Sequence, residues 1–152
     1  MTELFRRQAV DHQRQKFHGA IVLTRSPWQT AVAAFFVLGV LAQVFLAGVG
    51  IFGINAIKVA NATSLNPHRT WGTVLMVISL IMLIMALVAW ASRATVIGTF
   101  VLALLVIVAQ SGLAAAGESN KWFGGLHALD GMVILLLSLW LAVTAWRRRK
   151  AG

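Results

Sequence analysis

"WFGGLHALDGMVILLLSLWLAVTAWRRR", residues 122–149, is an apolar run that begins with polar residues and ends in three arginines. It is longer than the roughly 20 residues that an α-helix needs to cross a ~30 Å hydrocarbon layer. It contains no proline, and Asp130 is its one acidic residue. Because backbone groups in lipid must form hydrogen bonds within their own segment, the run predicts a membrane-spanning helix over 123–146.

Three more apolar runs of spanning length precede it, and they cover residues 28–54, 70–91 and 94–116. The whole chain is 59% hydrophobic and only 11% charged, with a mean hydropathy of +0.83. This composition excludes an ordinary soluble domain. The connections are short, which forces neighbouring helices to be antiparallel. We therefore expect an all-α membrane protein, an up-down bundle of four transmembrane helices built from two repeated helical hairpins.

The positive charges are distributed unevenly between the two sides of this bundle. Only Lys58, Arg69 and Lys121 fall on one side. The other side holds Arg6, Arg7, Arg14, Lys16, Arg25, Arg93, Arg147, Arg148, Arg149 and Lys150. The positive-inside rule then predicts a protein of the inner (cytoplasmic) membrane with both termini in the cytoplasm. The net charge of +9 therefore indicates topology and contact with the lipid bilayer, and no nucleic-acid partner is expected.

The same bias divides the chain into three parts. Residues 1–27 form a basic cytoplasmic N-terminal segment that contains His12 and His18. Residues 28–146 form the transmembrane domain, and residues 147–152 form a basic cytoplasmic tail.

Polar letters recur in the same order in the two halves of the chain. "QVFLAGVG" (43–50) in the first run matches "QSGLAAAG" (110–117) in the third. "HRTWG" (68–72) at the start of the second matches "HALDG" (127–131) at the start of the fourth. The rare polar residues are the ones that match, so the first two helices resemble the last two as an internal repeat.

This repeat has a chemical consequence for the two histidines. The second and fourth helices run in the same direction and lie diagonally across an up-down bundle, so His68 and His127 can face each other at similar depth. Two opposed imidazoles are the arrangement that holds a haem iron from both faces. Gly72 and Gly131 lie one turn deeper on the same helix faces, where a missing side chain leaves room for a flat macrocycle.

Other polar residues are predicted to surround this site. Gln43 and Gln110 lie about two turns inside the membrane, where they can bond a ligand histidine, the macrocycle edge or a buried water. Arg69 and Lys121 lie at the outer rim, where they can neutralise haem propionates. Asp130 is close enough to His127 to orient its imidazole, and it can alternatively pair with Arg69.

The same residues also have plainer interpretations. Each histidine alone is typical of a residue that headgroup water hydrates at a helix end. The glycines permit close helix packing, and the glutamines can bridge helices without any cofactor. A divalent metal on the two histidines is a further alternative, for which only Asp130 is placed to supply another ligand.

On "HRTWG", "HALDG" and the four-helix topology, residues 30–148 resemble one half of the haem A synthase family. They are also similar to small uncharacterised four-helix membrane proteins with the same His-x-x-x-Gly pattern. The resemblance implies b-type haem bound by His68 and His127. The catalytic half of those synthases carries a glutamate shortly before the first histidine. Here the corresponding run, "NATSLNP" (61–67), has no acid, which favours haem binding over haem oxidation.

Three functions follow as expectations. The first is an electron-transfer cytochrome or subunit with bis-histidine haem b in the outer half of the bundle, exchanging electrons with quinone or a redox protein. The second is a cofactor-free accessory subunit that stabilises a larger membrane complex. The third is a transporter or enzyme that uses His68, Asp130 and Gln110. It is disfavoured, because the sequence shows no broken helix, no second acid within a span and no nucleophile–base set. An electron carrier or accessory subunit is favoured over an enzyme.

Overall fold

The computed structural model of the chain describes residues 27–57, 65–89 and 91–150. Within these ranges every regular element is a helix, and four long helices, α1 to α4, follow one another along the chain. They are α1 (Pro27–Ile57), α2 (Asn66–Val88), α3 (Arg93–Gly117) and α4 (Lys121–Lys150). Each is long and apolar enough to cross a membrane, which confirms the prediction of an all-helical protein with four such helices.

The helix boundaries differ from the predicted ones mainly at the second and fourth helices. α2 begins four residues before the predicted 70–91 and ends three residues before it. α4 continues to Lys150, so the first residues of the predicted tail are its last turn. His12, His18 and the rest of the predicted N-terminal segment up to residue 26 lie outside the described residues.

Local polar chemistry explains where the helices begin. Pro67 stands in the first turn of α2, where its missing N–H has no helical partner to lose. Ser92 precedes α3, and its side-chain oxygen accepts a hydrogen bond from the Thr95 N–H. Asn120 precedes α4, and its Oδ1 accepts from the Trp122 N–H at 3.0 Å. The caps of α3 and α4 follow short turns, which bring consecutive helices side by side.

Each helix packs against two others. Cα atoms of α1 approach those of α2 and α4 within 8 Å, and Cα atoms of α3 approach those of α2 and α4 in the same way. In the described ranges no such approach links α1 with α3, or α2 with α4. α2 and α4 therefore face each other across the bundle axis, and only their side chains can meet.

The centre of the bundle combines two large and two small side chains. Phe36 of α1 and Leu102 of α3 are fully buried, and so are Ser79 of α2 and Ser138 of α4. Serine on two helices leaves space that the larger residues of the other two occupy. A dense core of this kind favours a single arrangement of the four helices.

The two buried serines satisfy their hydroxyl groups inside their own helices. Ser79 Oγ donates to the main-chain oxygen of Met76 at 2.7 Å, and Ser138 Oγ donates to that of Leu135 at 2.9 Å. Neither hydroxyl needs water or a partner helix, so both can be buried in an apolar core at low cost.

A π turn interrupts α3 at Leu105–Ala109. Such a turn accommodates one extra residue in a helix. Up to this turn, buried residues of α1 correspond to buried residues of α3 at one constant offset in the sequence. The corresponding residues are Ala33 and Thr99, Phe36 and Leu102, and Val40 and Val106. Beyond it the matching residues, Gln43 and Gln110, are one position further apart in the sequence. The π turn thus absorbs one residue and gives Gln110 the same place on α3 that Gln43 has on α1.

The outer surface of the bundle is strongly apolar. Large hydrophobic side chains stand exposed on all four helices, and Phe52, Val88 and Trp122 each expose more than two thirds of their surface. In water such a surface would drive aggregation. It fits a membrane protein whose outer face contacts lipid.

Gly98 is required where α3 meets α4. A Cβ atom there would lie 2.7 Å from Cζ3 of Trp140 and 3.1 Å from Cδ2 of Leu141. We expect Gly98→Ala to lower the free energy of unfolding by about 1–3 kcal/mol, because the indole must move. The measurement is SDS-titrated unfolding in mixed micelles, followed by circular dichroism.

Gly112→Ala on the same helix is the matched control. Among the described residues, and apart from its chain neighbours and the adjoining backbone of its own helix, no atom lies within 4 Å of a Cβ at Gly112. The free energy of unfolding should therefore stay the same or rise by up to about 1 kcal/mol, because alanine favours helix. Equal losses at Gly98 and Gly112 would show that the α3–α4 contact is not close.

Candidate functional site

His68, in the first turn of α2, forms a reciprocal contact with Gln43 of α1. Its Nδ1 lies 3.1 Å from the main-chain oxygen of Gln43, and Gln43 Nε2 donates to the main-chain oxygen of His68 at 3.0 Å. A carbonyl oxygen can only accept, so Nδ1 carries the proton, and in the neutral ring Nε2 keeps its lone pair. The Gln43 amide nitrogen also lies 3.4 Å from His68 Nε2.

His127 of α4 and Gln110 of α3 repeat this contact. His127 Nδ1 lies 3.1 Å from the main-chain oxygen of Gln110, and Gln110 Nε2 donates to the main-chain oxygen of His127 at 3.0 Å. The same atoms meet at the same distances in both helix pairs. Each predicted histidine is therefore held by its predicted glutamine.

The two imidazoles meet across the bundle axis. Their ring centroids are 6.2 Å apart and the ring planes are inclined by 70°. Two imidazoles on opposite sides of one metal ion would have centroids about 6 Å apart, since each metal–nitrogen bond is about 2 Å and each nitrogen lies about 1 Å from its ring centre. With each Nδ1 bonded to a carbonyl oxygen, Nε2 is the nitrogen that would hold a metal, and that of His68 would exchange its 3.4 Å contact with the Gln43 amide nitrogen for the metal. This donor set fits a haem iron held from both faces.

Gly72 and Gly131 lie beside the glutamines. A Cβ on Gly72 would stand 3.0 Å from Gln43 Nε2, and one on Gly131 would stand 3.7 Å from Gln110 Nε2. The space next to each glycine therefore holds a glutamine amide, a different role from the predicted room for a macrocycle. At Gly72 the missing side chain lets the Gln43 amide reach the main-chain oxygen of His68, whereas a Cβ at Gly131 would make only an ordinary van der Waals contact with the Gln110 amide.

The two halves of the site differ one turn deeper in the bundle. Asp130 of α4 lies near the Gln110 side chain and His127. Its Oδ2 is buried without a hydrogen-bond partner among the described residues. In α2 the corresponding residue is Trp71, whose Nε1 donates to the main-chain oxygen of Gly39 at 2.8 Å. One half thus has a carboxyl group where the other has an indole bonded to α1.

Arg69 lies at the exposed rim of the site. Its Nη2 is 3.5 Å from Glu118 Oε1, and both side chains are more than half exposed. The predicted alternative of an Arg69–Asp130 pair is wrong, because Glu118 in the α3–α4 turn is the acid that Arg69 reaches. Lys121, the other predicted rim cation, lies 6.0 Å from the ring centre of Trp122.

Among the described residues, the two histidines have no third metal-ligating side chain grouped with them. In the part of the chain that the structure describes, no three His, Cys, Asp or Glu side chains are grouped closely enough to hold a metal ion. The alternative of a divalent metal with Asp130 as an extra ligand therefore lacks its third donor. A haem iron would need no third protein donor, because the macrocycle would supply the remaining ones.

Sequence reasoning missed two features of this site. One is the main-chain oxygen of each glutamine, which accepts the imidazole proton. The other is the π turn at Leu105–Ala109, which sets the position of Gln110. The sequence does contain a signal for this turn. Gln43 and Gln110 are one residue further apart in the sequence than Phe36 and Leu102, the corresponding buried residues of α1 and α3.

One family model matches residues 43–116 and is described as a family of unknown function, DUF6220. The chain is thus similar to that family over a segment that contains Gln43, His68, Gly72 and Gln110 but ends before His127. No curated protein and no solved structure matches the chain. The similarity carries no function, so the chemistry must be argued from the site itself.

The reciprocal contacts should stabilise the bundle equally in its two halves. We expect Gln43→Leu and Gln110→Leu each to lower the free energy of unfolding by about 1 kcal/mol, the usual range for a hydrogen bond between helices in a membrane. SDS-titrated unfolding measures both. Val44→Leu, at a lipid-exposed neighbour, is the control and should change little. A loss in only one of the two glutamine variants would contradict the equivalence of the contacts.

Proposed function

We propose that the protein is an integral membrane b-type haem-binding protein that transfers electrons, with His68 and His127 as the residues that would hold the haem iron. The observation that carries this proposal is the 6.2 Å separation of the two imidazoles, each with its Nδ1 bonded to a main-chain oxygen. Ring position and proton position together support the two Nε2 atoms as the donors that would hold one iron, with His68 Nε2 giving up its contact with the Gln43 amide nitrogen.

The roles of the surrounding residues follow from this arrangement. Bound haem supplies a one-electron couple between ferric and ferrous iron. The main-chain oxygens of Gln43 and Gln110 hold each imidazole in one tautomer, which increases its strength as a ligand. Arg69 at the rim offers positive charge to haem propionates in exchange for its exposed pair with Glu118.

The proposal includes a topology and a location. We propose an up-down bundle of two repeated hairpins, α1–α2 and α3–α4, in the inner (cytoplasmic) membrane with both termini in the cytoplasm. The matched contacts of Gln43 with His68 and of Gln110 with His127 support the repeat. The excess of Lys and Arg at the opposite end supports the orientation, which places the haem in the outer half.

Redox partners of two kinds suit this position. A quinone diffuses in the lipid, and a redox protein docks on the outer surface, so either can exchange electrons with haem in the outer half. The resemblance to a haem A synthase half-unit supports haem as the ligand. The run before His68 lacks the acid of the catalytic half, so an electron carrier is proposed rather than a haem-oxidising enzyme.

An absorption spectrum of the full-length protein tests haem binding. We expect protein purified in mild detergent from haem-replete cells to show a Soret band and to sharpen its visible bands on reduction with dithionite. His68→Ala and His127→Ala should each remove most of the bound haem, because each removes an axial ligand.

His18→Ala is the matched control, since it removes a histidine that the sequence predicts outside the transmembrane domain. It should keep the spectrum of the wild type. Colourless wild-type protein, or equal haem loss in His18→Ala, would overturn the proposal.

A second candidate function is a cofactor-free accessory subunit that stabilises a larger membrane complex. The observation that favours it is that each histidine already has its partner: the contacts with Gln43 and Gln110 join helices without any metal. Purification in mild detergent distinguishes the two functions. A colourless protein that co-purifies in fixed stoichiometry with another membrane protein selects the accessory role, and a coloured protein that purifies alone rejects it.

A further inference from the structure

Positive charge is concentrated at the end of the bundle opposite the histidines, where α3 begins and α4 ends. Arg93 is the first residue of α3, and the last turn of α4 holds Arg147, Arg148, Arg149 and Lys150. The acids of the described ranges, Glu118 and Asp130, lie toward the other end of these helices. The cations at this end therefore have no carboxylate nearby among the described residues.

Arg148 differs from its neighbours because it is held in place. It is half-buried, whereas Arg147 and Arg149 are exposed. Its Nη1 donates to Thr95 Oγ1 at 2.8 Å, and its Nη2 donates to Ser92 Oγ. A guanidinium group has five N–H donors, so two hydroxyl contacts fix its position and leave donors for a further acceptor.

A cavity of about 60 Å³ adjoins this guanidinium. Apolar side chains from α1, α2 and α4 line it, and so do Thr95 and Arg148. It has room for a few water-sized groups. A ligand that fits both the guanidinium and the cavity has an anionic group that Arg148 can bind. An uncharged part, attached directly to that group, would enter the cavity.

We propose that this end of the bundle binds the phosphate group of an anionic phospholipid from the surrounding bilayer, with Arg148 as the principal contact. α4 has 30 residues and is about 45 Å long, so its last turn extends beyond a ~30 Å hydrocarbon layer to the headgroups. Basic pockets between transmembrane helices at this level are typical sites for anionic headgroups.

The source of the phosphate is the lipid rather than a soluble phosphate ester. The guanidinium lies where phospholipid headgroups are concentrated, and the neighbouring cavity is mostly apolar. Arg93 and the other cations of the last turn of α4 add a long-range attraction for negative charge, which is not specific to one lipid. The proposal does not depend on haem, since the site shares no residue with His68 and His127.

Native mass spectrometry of the full-length protein in detergent, titrated with phosphatidylglycerol or phosphatidylcholine, tests the site. We expect phosphatidylglycerol to bind about tenfold more tightly. Arg148→Ala should weaken phosphatidylglycerol binding about 20-fold, because it removes a charge and a fixed hydrogen-bond donor. Arg149→Ala, which removes the same charge one residue away, should weaken it by no more than about fivefold. Equal losses in the two variants would overturn the proposal.

Thr95→Val provides a second test in which the net charge does not change. It removes the hydroxyl that holds Nη1 of Arg148, so phosphatidylglycerol binding should weaken about threefold. Unchanged binding would show that the attraction comes from charge alone, and would contradict a built site. Excess glycerol 3-phosphate should not displace the lipid, and full displacement would identify a soluble phosphate site instead.

Discussion

The fold depends on one constraint, which is that polar groups in a bundle surrounded by lipid must find partners inside the protein. Serine hydroxyls meet it within their own helices, as Ser79 and Ser138 do. Longer side chains meet it in part between helices, where Gln43 and His68 bond each other's main chain. Gln43 Oε1 and Asp130 Oδ2 are buried without a partner among the described residues. Hydrogen bonds between helices also fix how the two helices are aligned. The bonds that satisfy the polar groups therefore also determine where the imidazoles point.

Much of this architecture was predictable because length and polarity suffice for it. The apolar runs predict the four helices, and the recurrence of glutamine, histidine and glycine predicts which residues lie near one another. The partner of each imidazole was not predictable, because every residue has a main-chain oxygen. The residue type does not indicate which of these oxygens accepts the imidazole proton. The contact of Gly72 with the Gln43 amide was also hidden, since a glycine shows only that space is needed and not what fills it.

The π turn in α3 shows a different limit of sequence comparison. Matching Gln43 with Gln110 aligns the ends of α1 and α3 that lie near the histidines, but the same alignment places Phe36 opposite Ala103 instead of Leu102. Both Phe36 and Leu102 are fully buried, so the packing requires the shifted match. A single extra residue thus lets one helix satisfy the core and the polar site at once.

Trp71 and Asp130 give the two helix pairs different contacts one turn deeper than the imidazoles. The indole bond to Gly39 and the contact of His68 with Gln43 pin α2 to α1 at two heights. On the other side the contact of His127 with Gln110 ties α4 to α3 at the level of the imidazoles, and the backbones of Gly117 and Gly124 approach each other closely. Arg148 ties the far ends of α3 and α4 together. Any widening of the bundle around the imidazoles therefore separates helices that are bonded to each other on both sides of the axis.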